Sequence, residues 1–276
     1  MRFAICNETF EGWDHARVCK TAAEIGYTGL EIAPFTLAPR ITDVSAEQRK
    51  QIRREAEQAG LQIIGLHWLL AKTEGFHLNS ADPAVRQRTA EYLKELARCC
   101  RDLGGDLMVL GSPAQRRVPA GATKEQATEW ALDTFRQVAP ALEQHQVSLL
   151  LEPLSPPDAD FMNTAEECSA ILDRLQHPNF AIHLDVKAMT TEPMPRPEVI
   201  RRFAARTRHF HANDANLRGP GFGDVDFVPI FEALLVSKYT GWVSVEVFDY
   251  KPDPVTIARE SLRYMRETLA AAEAKR

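Results

Sequence analysis

The segments VSLLLE (147–152), FAIHLDV (180–186), TRHFHA (207–212) and GWVSVEVF (241–248) decide how this chain is read. Each is an apolar run of strand length that carries a polar, metal-capable side chain at or near its end: Glu152, Asp185, His211 and Glu246. Helical segments separate them. Parallel strands linked by helices open their carboxyl ends on one face, so four residues far apart in sequence can converge there.

Upstream, the same alternation gives FAIC (3–6), GLEIA (29–33), LQIIGLHW (61–68) and DLMVL (106–110) as further strands. Several are nearly continuous apolar runs, as expected where both faces of a parallel sheet are covered. Between them lie helix starts with a physical basis. Ser45–Gln48, Thr123–Gln126 and Thr164–Glu167 have capping-box spacing, and Asp82 precedes Pro83, whose missing N–H costs nothing in a first turn. Gly26, Gly60 and Gly104 stand where helices would stop on a residue free to take positive φ. Apolar residues recur at helical spacing over 88–103, giving a face to cover the sheet. Eight units in 276 residues predict one domain, 1–276, folded as a closed (β/α)8 TIM barrel. The alternative, an open doubly wound sheet, would leave edge strands and split the four candidates around a switch point. Longer connections at 34–44, 69–82, 111–122 and 186–196 follow strands two, three, four and six, where barrel loops build a pocket.

Bulk properties narrow the function. Lys and Arg total 33 against 38 Asp and Glu, a formal charge of −5 that offers no footprint for nucleic acid. No apolar stretch is long enough to span a membrane, and the start lacks a signal-peptide run. The five cysteines form no CxxC and read as reduced thiols of a cytoplasmic protein. Cys6, at the end of the first strand, is a candidate pocket residue; the others read as core. GFGD (221–224) lacks the spacing of a dinucleotide fingerprint.

Together Glu152, Asp185, His211 and Glu246 offer three anionic oxygens and one imidazole nitrogen. That donor set suits a divalent ion, Mn2+ first, with Mg2+, Co2+ or Zn2+ as alternatives. The competing reading makes individual acids salt-bridge partners or helix caps. His67 and Trp68 follow the third strand, the first able to reach a substrate hydroxyl and the second to form an apolar wall; a satisfied structural histidine is the rival for His67. His183 and His209 lie two residues before Asp185 and His211 and so point to the same side, as orienting neighbours or as packing. Glu31 is a supporting pocket residue or an arginine's partner. Arg218, in the glycine-rich NLRGPGFGD loop, is the cationic candidate for gripping substrate hydroxyls or a phosphate, against a plain exposed arginine.

The chain resembles the xylose isomerase-like TIM-barrel superfamily, in its sugar (phosphate) isomerase/epimerase branch with the ketose 3-epimerases. GLEIAP, LLLEPLSPPDADFMNT, IHLDVKAM, HFHANDANLRGPGFGDVDF and GWVSVEVF carry the resemblance. It implies metal ligation by Glu152, Asp185, His211 and Glu246, with Glu152 and Glu246 shuttling the proton α to a carbonyl from opposite faces. It implies a carbohydrate substrate, enediolate chemistry, and a homodimer or homotetramer. It puts Asp158 near the substrate, with loop capping as that residue's rival role. The related epimerases place an arginine in the loop of Arg218, one residue differently spaced from the ligand histidine. They also carry a histidine after the strand-six aspartate, where this chain reads Val186-Lys187-Ala188. Lys187 would replace that contact only if the strand stops early. The same superfamily holds inosose dehydratase-like lyases and zinc endonucleases acting on abasic DNA. The endonuclease site needs histidines this chain lacks, whereas the lyase and a non-catalytic sugar-binding barrel stay open.

Overall fold

The computed structural model describes residues 1–156 and 158–275. Strand and helix alternate through β1 (Arg2–Cys6), α1 (His15–Ile25), β2 (Gly29–Ile32), α2 (Ala46–Gln58), β3 (Gln62–Leu66), α3 (Pro83–Leu103), β4 (Leu107–Leu110) and α4 (Lys124–His145). They continue through β5 (Ser148–Leu151), α5 (Ala165–Leu175), β6 (Phe180–Asp185), α6 (Arg196–Phe203), β7 (Thr207–Ala212), α7 (Val228–Val236), β8 (Trp242–Val245) and α8 (Pro254–Ala274). All strands are parallel and pair in chain order, and β8 returns to β1. Closure removes the edges that the doubly wound alternative would have left.

Local chemistry explains the helix boundaries. Ser45 and Thr123 each make both bonds of a capping box, and the Asp82 carboxylate accepts from the Ala84 amide. At Thr164 only half of the expected box forms: its hydroxyl accepts from Glu167, but the Glu167 carboxylate reaches the Asn163 amide instead, at 2.7 Å. α1 and α3 end on Gly26 and Gly104 at φ +111° and +99°, a region that a Cβ makes costly.

Alternation divides the strand residues between two environments. Ile5, Leu30, Leu66, Met108, Leu149, Leu184, Phe210 and Val243 face the helices in the main core. Inside the barrel, small apolar clusters form at Ala4–Ile64–Trp242 and at Leu107–Val109–Leu150. The rest of the interior is polar: Cys6, Glu31, His183, His209, His211 and Ser244 are all buried. Register sets these neighbours side by side, pairing Cys6 with Glu31, His183 with His209, and Asp185 with His211.

Candidate active site

Glu152 follows β5 directly, Asp185 ends β6, His211 is next to last in β7, and Glu246 follows β8. All four therefore open on the carboxyl face. Glu152, Asp185 and Glu246 line a cavity of about 460 Å³ with His67, Trp68, Arg117, Asp158, Lys187, Leu217 and Phe248. That volume accommodates a monosaccharide-sized ligand.

Three donors surround Glu246. Trp68 Nε1 donates to Oε1 at 2.6 Å, His67 Nδ1 lies 3.2 Å from the same oxygen, and His211 Nδ1 lies 3.1 Å from Oε2. Burial opposes ionisation of Glu246, but His211 and His67 outweigh it and hold its carboxyl well below the usual range. Trp68 reaches this position because β3 ends two residues early and Trp68 turns into left-handed backbone at φ +53°. A bulky side chain there stores strain, which the short indole bond and the ring contacts with Phe35 and Phe248 offset. His67 departs from its expected substrate contact, because carboxylates engage both ring nitrogens: Nε2 lies 2.9 Å from Glu8.

Below the cavity, Glu31 accepts from two histidines rather than from an arginine. His209 Nε2 is 2.8 Å from Oε2, and His211 Nε2 is 3.1 Å from the same oxygen. With Nε2 donating downward to Glu31, Nδ1 is the nitrogen whose lone pair a bound ion would take in place of the proton it shares with Glu246, an arrangement that suits a metal-bound imidazole. Asp185 is fixed from behind: Ala188 N donates to Oδ1 at 2.7 Å and Asn213 Nδ2 to Oδ2 at 2.5 Å. Burial, with Glu246 adding to it, still raises the Asp185 carboxyl to about 6.

Glu152 has no comparable set of donors. Burial, then the charges of Glu246 and Asp185, push its carboxyl up to about 8. Oε1 is 3.9 Å from His183 Nε2, while Oε2 lies against Gly111, where an added Cβ would sit 2.3 Å away. Its backbone is held by buried Arg116, whose guanidinium donates to the Glu152 carbonyl at 2.7 Å and to Leu110 and Met162 carbonyls at 3.3 and 3.4 Å.

At the mouth, β6 stops at Asp185, so Lys187 turns into the cavity wall and pairs with Asp158. The Asp158 carboxylate also accepts from the Ser155 hydroxyl at 3.1 Å, so loop capping and cavity lining coexist. Arg218 is placed differently from its sequence expectation. Its Nε pairs with Asp249 at 3.0 Å, and the wall is lined by its neighbour Leu217 instead. Among the described residues, the cations lining this cavity are Arg117 and Lys187, besides His67. Cys6 likewise misses the cavity, sitting fully buried 3.7 Å from Glu31 and 4.0 Å from His211 Nε2. Sequence reasoning passed over Glu8, Asn213 and Arg116. Glu8 had the available signal, a carboxylate just past the first strand.

The donor set fits a divalent ion. Ligand atoms of Glu152, His183, Asp185 and His211 lie within 4.8 Å of one another, all buried, and Glu246 touches His211. Residues 19–268 match the sequence model of the xylose isomerase-like TIM barrel. The chain belongs to that family. Its relatives within reach of sequence comparison include a D-psicose 3-epimerase from Ruminiclostridium cellulolyticum, 27% identical over 85% of this chain and 78% of the relative. A fructoselysine 3-epimerase from Escherichia coli O157:H7 is 22% identical over 92% of this chain and 93% of its own length. Among solved structures, the D-psicose 3-epimerase of Clostridium cellulolyticum H10, with D-tagatose, superposes with a TM-score of 0.84. That superposition covers 98% of this chain and 99% of the other at 22% identity, and it shows that the two share a fold.

Proposed function

We propose that this protein is a metal-dependent sugar epimerase of the ketose 3-epimerase type, acting on a keto-sugar or related polyol. The relatives are named sugar epimerases, and the chain is an enzyme of the epimerase/isomerase type. The observation that carries the reading is the contrast between two carboxylates on one cavity. Epimerisation at a carbon α to a carbonyl needs a base on one face and an acid on the other. Glu246, held ionised by His211 and His67, suits proton removal. Glu152, which lines the same cavity from the end of β5 while Glu246 does so from the end of β8, suits delivery on the opposite face.

Glu152, Asp185, His211 and Glu246 would hold the ion. When bound, a divalent ion supplies positive charge that polarises the carbonyl and stabilises the enediolate. Trp68 and Phe248 form the apolar wall, and Lys187 with Asp158 offers a donor and an acceptor to hydroxyls at the mouth.

The test is solvent deuterium incorporation into a ketohexose during turnover by metal-loaded protein. Exchange at the α-carbon is expected, and E152Q and E246Q should each abolish it. Full exchange in both variants would overturn the acid/base assignment. Net loss of water would select the inosose dehydratase-like lyase, and binding without exchange the non-catalytic barrel.

A further inference from the structure

The proposed ion leaves one interior side chain unexplained. His183 is fully buried, and neither Nδ1 nor Nε2 has a hydrogen-bond partner. No other histidine among the described residues has both ring nitrogens buried without a partner. His209, beside it in the sheet, gives Nε2 to Glu31, while His67 and His211 each lie between two carboxylates. Burying an unsatisfied polar nitrogen costs about 1–3 kcal/mol, so two on one ring call for a partner that protein atoms do not provide.

The position of the ring says what that partner is. His183 Nε2 lies 3.9 Å from Glu152 Oε1, too long for a hydrogen bond. Two ligands of one ion, each about 2.0–2.2 Å from it, can stand up to about 4 Å apart, so one ion between them reaches both. The ring packs edge-on against His211 with centroids 4.1 Å apart, so both imidazoles border one space. Register accounts for this: a shift between Ile182 and His183 brings His183 level with His209, one pleat below Asp185 and His211.

We infer that His183 is itself a ligand of the ion, placing a second imidazole nitrogen beside Glu152, Asp185 and His211. This rests on the metal dependence proposed above. It makes the ligating set richer in nitrogen than the three carboxylates and one imidazole read from the strand ends. Imidazole donors favour Zn2+ and Co2+ over Mn2+ and Mg2+, so the metal preference should shift accordingly. Glu246, whose Oε2 lies 3.1 Å from His211 Nδ1, stays at the edge of that group as its third carboxylate.

Counting nitrogens on the ion tests the inference without reference to turnover. In Mn2+-loaded wild type, electron spin-echo modulation should show two coupled imidazole nitrogens, and H183L should show one. Zn2+ affinity, read by chelator competition, should fall by about 10–100-fold or more in H183L, with a smaller loss for Mn2+. A wild-type count of one overturns the inference, as does a count of two that H183L leaves unchanged. If H183L does not fold, H183Q replaces it, and the wild-type count still decides against the inference if it is one. Substrate deuterium exchange with a count of one removes His183 and leaves the proposed function standing. A count of two without exchange does the reverse, and failure to bind Mn2+, Co2+ or Zn2+ removes both.

Discussion

Glu152 and Glu246 are the same residue type lining one cavity, from the ends of β5 and β8, yet their surroundings have little in common. Around Glu246 the chain has assembled Trp68, His67 and His211, with Glu8 behind His67. Around Glu152 it has left space: a glycine against one oxygen and an unpartnered histidine near the other. The difference teaches that the proton-transfer roles proposed for the two carboxylates would be set by neighbours supplied from other strands. Neighbours come to Glu246 from the end of β3 and from β7, whereas Glu152 is held through its backbone carbonyl by Arg116.

Three changes would break or sharpen this contrast. The largest effect is expected from G111A, whose Cβ would occupy space 2.3 Å from Glu152 Oε2 and force the carboxylate aside. Misplacing a reacting group by about 1 Å costs on the order of 100-fold, so kcat/KM should fall by about that much while the circular dichroism spectrum and Tm stay near wild type. Retained activity would show that the space beside Glu152 is unused. Next, W68F keeps an aromatic wall but removes the 2.6 Å donor to Glu246. Hydrogen bonds to charged groups contribute about 1.5–3 kcal/mol, which predicts a drop in kcat of about tenfold or more with KM little changed. A rise in KM alone would reduce Trp68 to a wall.

The smallest effect is on stability against pH, measured as Tm in the presence of a chelator. Glu152 has a folded pKa of about 8, above its unfolded value, so the folded chain binds the extra proton in between. Its contribution is present below the unfolded value near ~4.3 and is lost as pH rises through about 8. E152Q, which cannot ionise, should flatten that decline. Glu246 has the opposite sign: its folded pKa is depressed, so its contribution is lost as pH falls, and E246Q should flatten the acid side. Identical profiles for the two variants would mean that their environments do not differ.

The barrel was legible because its signals are local. Apolar runs, capping residues and terminal glycines report on their own neighbourhood, and they place every strand within a few residues. The strand-end carboxylates and His211 were legible for a related reason, since parallel topology carries strand ends to one face whatever lies between. Contacts between distant loops were not. Glu8 matters only because His67 swings toward it, Asn213 because β6 ends beside β7, and Arg116 because three carbonyls meet around it. Arg218 shows the same limit: the cation in the glycine-rich loop pairs with Asp249, a partner that spacing alone did not reveal. Lys187 turned on a boundary, because alternation directs it away only in a strand that continues past Asp185.

The carboxylate shared by His209 and His211 bears on the order of assembly. Glu31 gives both of these imidazoles a partner from protein atoms, so this part of the barrel interior can close without the proposed ion. An ion bound at the proposed site would then add stability only as the logarithm of its free concentration.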